Sequence, residues 1–219
     1  MINLLWDFDG TLFDTYPYMV SAFTKALQRV GVDEFEIDGD EIYRQMRVHS
    51  LNSAITKFSA CFHVDPQQLQ TAYREFEALE IQLAQPFAGA PAALQAVVKN
   101  GGQNGLVTHR DQAAVTLLEQ ANLTPLLTGI VTREQGFPRK PDPTALQFLL
   151  NQMQLDPAQT AFVGDRKLDV DAANRAGIKS ILFDPDYVIE APGTPSVTIH
   201  ALTELPALII AGPHSIGLN

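Results

Sequence analysis

Apolar residues crowd the start of the chain. Ile2 to Phe8 reads as one buried strand, and Gly10 ends it. From Pro17 to about Ile81 the spacing becomes helical. Val20, Phe23, Leu27 and Val30 recur on one face, with Gly31 as a stop. Asp65-Pro66 then predicts an N-cap followed by proline at the first helical position, leading a helix that carries Leu69, Tyr73, Phe76 and Leu79. No strand pattern interrupts this stretch. Beyond Pro86 the pattern alternates. Helices are predicted over about 90–99, 111–121, 143–153 and 168–176, and strands over 105–108, 129–132, 160–163 and 180–183. Val197 to Ile199 adds a last strand and Glu204 to Ile210 a last helix. Such alternation predicts an α/β fold: a doubly wound parallel sheet, with a helical insert after its first strand. The expected division is residues 1–15 and 86–219 for the α/β core and 16–85 for the insert.

Ligands of such sheets bind beyond the carboxyl ends of the strands. Asp7 and Asp9, Thr108, and Gly164-Asp165 each stand where a predicted strand ends. Asp7-Phe8-Asp9-Gly10-Thr11 puts two carboxylates two residues apart, with a glycine that allows a sharp turn and close backbone approach to a ligand. A carboxylate can attack phosphorus if a hard divalent cation offsets the mutual repulsion, and oxygen ligands with phosphate suit Mg2+. A second carboxylate can then move the protons. The Thr108 hydroxyl can donate to a phosphate oxygen, although Thr108 or Asp111 can equally cap the next helix. His109 and Arg110 follow as candidate binding groups. Lys140, in Arg139-Lys140-Pro141-Asp142-Pro143, supplies a point charge on a stiffened loop. Asp165 could ligate a cation, and Asp169 could join it from the first turn of a helix.

Composition narrows the picture. Among 219 residues, 46% are hydrophobic and 18% charged, which is a globular balance. The net charge of −10 opposes non-specific nucleic-acid binding and requires local cations wherever an anion binds. Cys61, the single cysteine, allows no internal disulfide and is expected to be a small buried residue. No apolar run is long enough for a bilayer, and Asp7 and Asp9 break the N-terminal run, so a cytoplasmic protein is expected. His63, His200 and His214 show no metal-ligand spacing.

The ordered set Asp-Phe-Asp-Gly-Thr, Val-Thr, Lys-Pro and Gly-Asp-x-x-x-Asp resembles the haloacid dehalogenase-like superfamily, over nearly the whole chain. It is most similar to the branch with a helical cap after the first motif, which includes phosphoglycolate phosphatases. The resemblance implies a Rossmann-like core and a magnesium-dependent phosphatase acting on a small phosphorylated metabolite through an aspartyl-phosphate. It implies Asp7 as nucleophile and Asp9 as general acid and base. Gly10, Thr11, Thr108, His109 and Lys140 would bind phosphate, and Lys140 would also offset its charge. Mg2+ would be held by Asp7, the Asp9 carbonyl and Asp165, with Asp169 supporting them from behind. Asp14 is expected to be structural.

The true dehalogenases lack the second aspartate, so Asp9 favours phosphoryl transfer. Lys25 and Lys57 match no Schiff-base context. Many relatives carry a glycine in the cap loop near Arg47-Val48-His49-Ser50, and this chain has none. Arg44, Arg47 and His49 are candidates to contact a substrate carboxylate or sugar, but a solvated helix face is the favoured expectation. Two alternatives use the same scaffold: a sugar-phosphate mutase, passing the phosphoryl group to a second hydroxyl, and a non-catalytic binding module.

Overall fold

The computed structural model describes residues 2–212. The last seven positions of the expected core segment, His214 among them, lie outside the described residues. The chain forms two compact units. One comprises the described residues up to Phe13 together with those from Gln85 onward, and the other is Asp14–Ala84.

The first unit is built on a parallel sheet. Its strands are β1 (Asn3–Trp6), β4 (Asn104–Val107), β5 (Gly129–Val131), β6 (Thr160–Gly164), β7 (Lys179–Phe183) and β8 (Val197–Ile199), in the order β5-β4-β1-β6-β7-β8. Two short strands, β2 (Phe13–Asp14) and β3 (Gln85–Pro86), pair separately where the chain leaves this unit and returns. The helices of this unit are α5 (Ala90–Lys99), α6 (Gln112–Gln120), α7 (Thr144–Gln152), α8 (Lys167–Ala176) and α9 (Leu205–Ala211). Alternation along β1 assigns the two faces. Leu5 packs with Val107, Leu146, Leu149 and Phe162 beneath α7 and α8. Trp6, of opposite parity, donates from Nε1 to Asn104 Oδ1 at 3.0 Å, and Asn104 Nδ2 donates to the Leu94 carbonyl of α5 at 3.0 Å. Both faces are therefore covered, which is why β1, β4 and β6 are wholly buried. Helix punctuation follows the sequence: Asp111 caps α6 by accepting from Ala113 N–H, and Gly177 ends α8 at φ 77°.

The second unit is helical: α1 (Tyr16–Arg29), α2 (Gly39–Arg44), α3 (Leu51–Phe62) and α4 (Pro66–Glu80). Asp65 caps α4 by accepting from the N–H groups of Gln67 and Gln68, with Pro66 at the first position. Phe23 is the hub, edge-on to Phe58 at 5.5 Å between centroids and tilted against Tyr73 at 5.8 Å.

Leu79 lies on α4 as expected and is exposed, because the buried stripe of that helix runs through Leu69, Ala72 and Tyr73 and has left the interior by its last turn. Two expectations fail in this unit. Cys61 is exposed too, since α3 buries Ala54, Ile55, Phe58 and Ser59 and position 61 falls off that face. Arg47 is not on a solvated face but buried, at 1% exposure. Residues Gln45–His49 form a π-helical turn, closed by Ser50 N–H donating to the Gln45 carbonyl at 3.2 Å. The wider turn changes the rotation per residue from that of an α-helix, and position 47 within it is buried. The Arg47 guanidinium lies over the Tyr16 ring, 5.4 Å from its centroid.

Among the described residues, no helix is long and apolar enough to cross a membrane.

Candidate active site at the strand tips

The site is assembled by the α/β unit from four separated segments. Asp7 follows β1 and is buried, its N–H donating to the Val163 carbonyl of β6 at 2.9 Å. The chain then folds on itself. Thr11 and Phe13 N–H groups both donate to the Phe8 carbonyl, and Gly10 N–H donates to the Phe13 carbonyl at 2.9 Å. Gly10 has φ 71°, a left-handed conformation that costs glycine nothing, and this permits the turn. Thr11 is fully buried in it.

Thr108 follows β4, its N–H donating to the Val131 carbonyl and its Oγ1 accepting from Arg110 N–H at 3.0 Å. Asp165 follows β6 and is fully buried. Asp169 lies in the first turn of α8, where Oδ2 accepts from Arg166 N–H at 3.1 Å. Its approach depends on Gly164: a Cβ there would come within 2.3 Å of Asp169 Cβ. The glycine in Gly-Asp-x-x-x-Asp is thus a packing requirement as well as a turn signal.

Lys140 joins the carboxylates. Its Nζ is 2.6 Å from Asp7 Oδ1 and 2.6 Å from Asp169 Oδ1, over the Phe162 ring. Asp7, Asp165 and Asp169 each offer a carboxylate oxygen, and these lie within 4.8 Å of one another. Arg166 Nε also lies 3.7 Å from Asp165 Oδ1, so three buried acids face two cationic side chains. An all-oxygen, anionic donor set of this kind fits a hard divalent cation such as Mg2+.

The electrostatics follow from burial. Burial raises the Asp7 carboxyl to about 7; Lys140 pulls it back, while Asp169 and Asp165 push it up. Burial opposes the charge on Lys140 as well, but Asp169 and Asp7 outweigh it and hold the ammonium above its usual range. His109 is lowered to about 3 by burial, then by the charges of Lys140 and Arg139.

The structure brings Asp7, Lys140, Asp165 and Asp169 into direct proximity and sets Thr108 at an adjoining strand tip. Asp9 is placed differently. Its carboxylate is half-buried and held by Arg110, with Arg110 Nε donating at 2.9 Å and Nη2 at 2.8 Å from Asp9 Oδ1. His109 Nε2 accepts the Lys140 backbone N–H at 2.9 Å. Arg175, absent from the sequence reading, donates to the Pro141 carbonyl at 3.2 Å. Neither partnership has a sequence signal, because each joins residues more than thirty positions apart.

Comparison with known proteins agrees with this geometry. The haloacid dehalogenase-like hydrolase family matches residues 4–183. A phosphoglycolate phosphatase of Cupriavidus necator is 29% identical over 214 residues, covering 94% of this chain and 92% of the relative. An N-acetylmuramic acid 6-phosphate phosphatase of Pseudomonas aeruginosa is 27% identical over 199 residues, covering 84% and 82%. The crystal structure of a hydrolase from Streptococcus pneumoniae superposes with a TM-score of 0.64 at 30% identity, over 83% of this chain and 91% of that one. With the α/β fold, the strand-tip cluster and a match across most of its length, the chain belongs to the haloacid dehalogenase-like hydrolases.

Proposed function

We propose that this hydrolase is a magnesium-dependent phosphatase that cleaves a small phosphomonoester through an aspartyl-phosphate on Asp7. The observation that carries the reading is the position of Lys140 Nζ, 2.6 Å from both Asp7 and Asp169 inside a buried acidic trio. Asp7, Asp165 and the Asp9 carbonyl would hold Mg2+, with Asp169 fixing Lys140 and supporting the site from α8. The bound ion would offset the repulsion between carboxylate and phosphate and keep Asp7 ionised. Asp7 then attacks phosphorus, and the bond to the leaving oxygen breaks. Asp9 protonates that oxygen and later takes a proton from the water that hydrolyses the aspartyl-phosphate. Lys140 and the Thr108 hydroxyl face the charge that develops on the phosphoryl oxygens. Arg110 must yield part of its hold on Asp9 for that proton to move. The relatives named above are phosphatases of small phosphorylated compounds, and a phosphoglycolate-like or sugar-phosphate substrate is the class we favour for this chain.

Phosphate release from para-nitrophenyl phosphate tests the reading. We expect turnover that needs Mg2+ and is abolished by EDTA, and a loss of at least about 10³-fold in Asp7→Asn. Full activity in Asp7→Asn would sink the reading.

A further inference from the structure

Lys140 sits at the end of a long flexible side chain, so the precision of its ammonium depends on how firmly its backbone is held. Side chains hold the backbone at and beside Lys140. Arg175 of α8 donates to the Pro141 carbonyl at 3.2 Å. From the opposite segment, His109 Nε2 takes the Lys140 N–H at 2.9 Å. His109 directly follows Thr108, whose own N–H is fixed to β5 through the Val131 carbonyl at 2.9 Å. The imidazole therefore links the tip of the sheet to the loop that carries the lysine.

We propose that His109 is a positioning residue that fixes Lys140 against Asp7 and Asp169, not a phosphate ligand through Nε2. The proposal rests on the phosphatase reading above for its kinetic consequence, but the tether itself does not. A nitrogen that accepts an N–H must be unprotonated, so the ring is the neutral Nδ1–H tautomer. The neutral state is well supported, since burial and the charges of Lys140 and Arg139 keep the ring from protonating until about pH 3. At any ordinary assay pH the acceptor is in place. Within the loop, Asp142 N–H donates to the Arg139 carbonyl at 3.1 Å, and Asp142 Oδ1 accepts Thr144 N–H at 2.9 Å. The segment around Lys140 is thus ordered on its own account, and His109 sets where that ordered segment sits relative to β4.

Two variants and one spectrum decide the matter. His109→Gln can present an amide oxygen near the place of Nε2, whereas His109→Phe keeps a ring and removes the acceptor. With para-nitrophenyl phosphate and Mg2+, His109→Phe is expected to lower kcat about tenfold or more with KM within about threefold, and His109→Gln to recover to within about threefold of the parent. Nitrogen NMR of the unmodified protein is expected to show His109 as the Nδ1–H tautomer with Nε2 unprotonated. An Nε2–H tautomer overturns the proposal, as does a raised KM with unchanged kcat in His109→Phe, which would mark a phosphate ligand. Equal impairment of both variants, or none in either, overturns it too. If His109→Phe does not fold, the spectrum and His109→Gln carry the test. A parent protein without turnover would remove the phosphatase reading and leave the tautomer to decide whether the tether exists.

Discussion

The strand tips of the α/β unit and the interior of the helical unit both bury charge, on opposite terms. At the strand tips the buried groups are a mutually compensating set: Asp7, Lys140, Asp165 and Asp169, all at 5% exposure or less. Their cost of desolvation is offset in part by contacts among themselves. The helical unit is an apolar bundle around Phe23, into which a π-helical turn places Arg47 over Tyr16. One region therefore sets buried charges against one another, while the other is held mainly by hydrophobic packing. The difference predicts that substitutions at the strand tips damage activity first and substitutions in the bundle damage stability first.

Lys140→Met gives the largest separation. It removes the ammonium from beside three buried acids, so turnover should fall by about 10²- to 10³-fold. The metal-free variant should also be destabilised, by about 3–5 kcal/mol for a broken buried pair. Divalent cations should raise its melting temperature more than they raise the parent's, because a metal then replaces the cation that Lys140 supplied beside the acids. Thermal unfolding with and without Mg2+ reads this, and an equal metal response in the two proteins would break the account of the site as a compensated cluster.

Phe23→Ala tests the other side. Phe23 is fully buried between Phe58 and Tyr73, so its truncation should cost about 3–5 kcal/mol in denaturant unfolding. Below the unfolding transition it should leave the metal response of the α/β unit close to the parent's. A cost below about 1 kcal/mol would show that the bundle is not the packed hub described here.

The smallest effect is a pH dependence. The His109 ring is lowered to about 3 from 6.5, so below about pH 6.5 the unfolded chain takes up a proton that the folded protein refuses. Its contribution to stability is complete above that pH and declines as the pH falls. Asp7, raised to about 7 from 3.8, acts in the opposite sense: its contribution is present at low pH and lost as the pH rises toward 7. His109→Gln isolates the first effect. Between about pH 7 and pH 5 the parent should lose more stability than this variant, measured as the shift in denaturation midpoint.

Much of this molecule is written locally. The six strands of the parallel sheet lie within a residue or two of where alternation and apolar runs place them, and Asp65, Asp111 and Gly177 punctuate helices as their chemistry dictates. The helical unit was less legible. Helical periodicity assumes a constant rotation per residue, and the π turn at Gln45–His49 breaks that assumption where it matters, turning Arg47 inward. Exposed Cys61 and Leu79 show the same limit: apolar character does not reveal which face a short helix buries.

By itself, then, the sequence determined the α/β class, the order of elements and the carboxylates and lysine that stand at strand ends, because backbone periodicity and short motifs are local properties. Only the tertiary structure decided that Lys140 bridges Asp7 and Asp169, that Arg110 holds Asp9, that Gly164 makes room for Asp169 and that His109 grips the lysine's backbone. Apart from the Gly164 contact, which is local to one motif, each of those joins segments far apart in the chain that the parallel sheet brings within a few ångströms, and it leaves no trace in either segment alone.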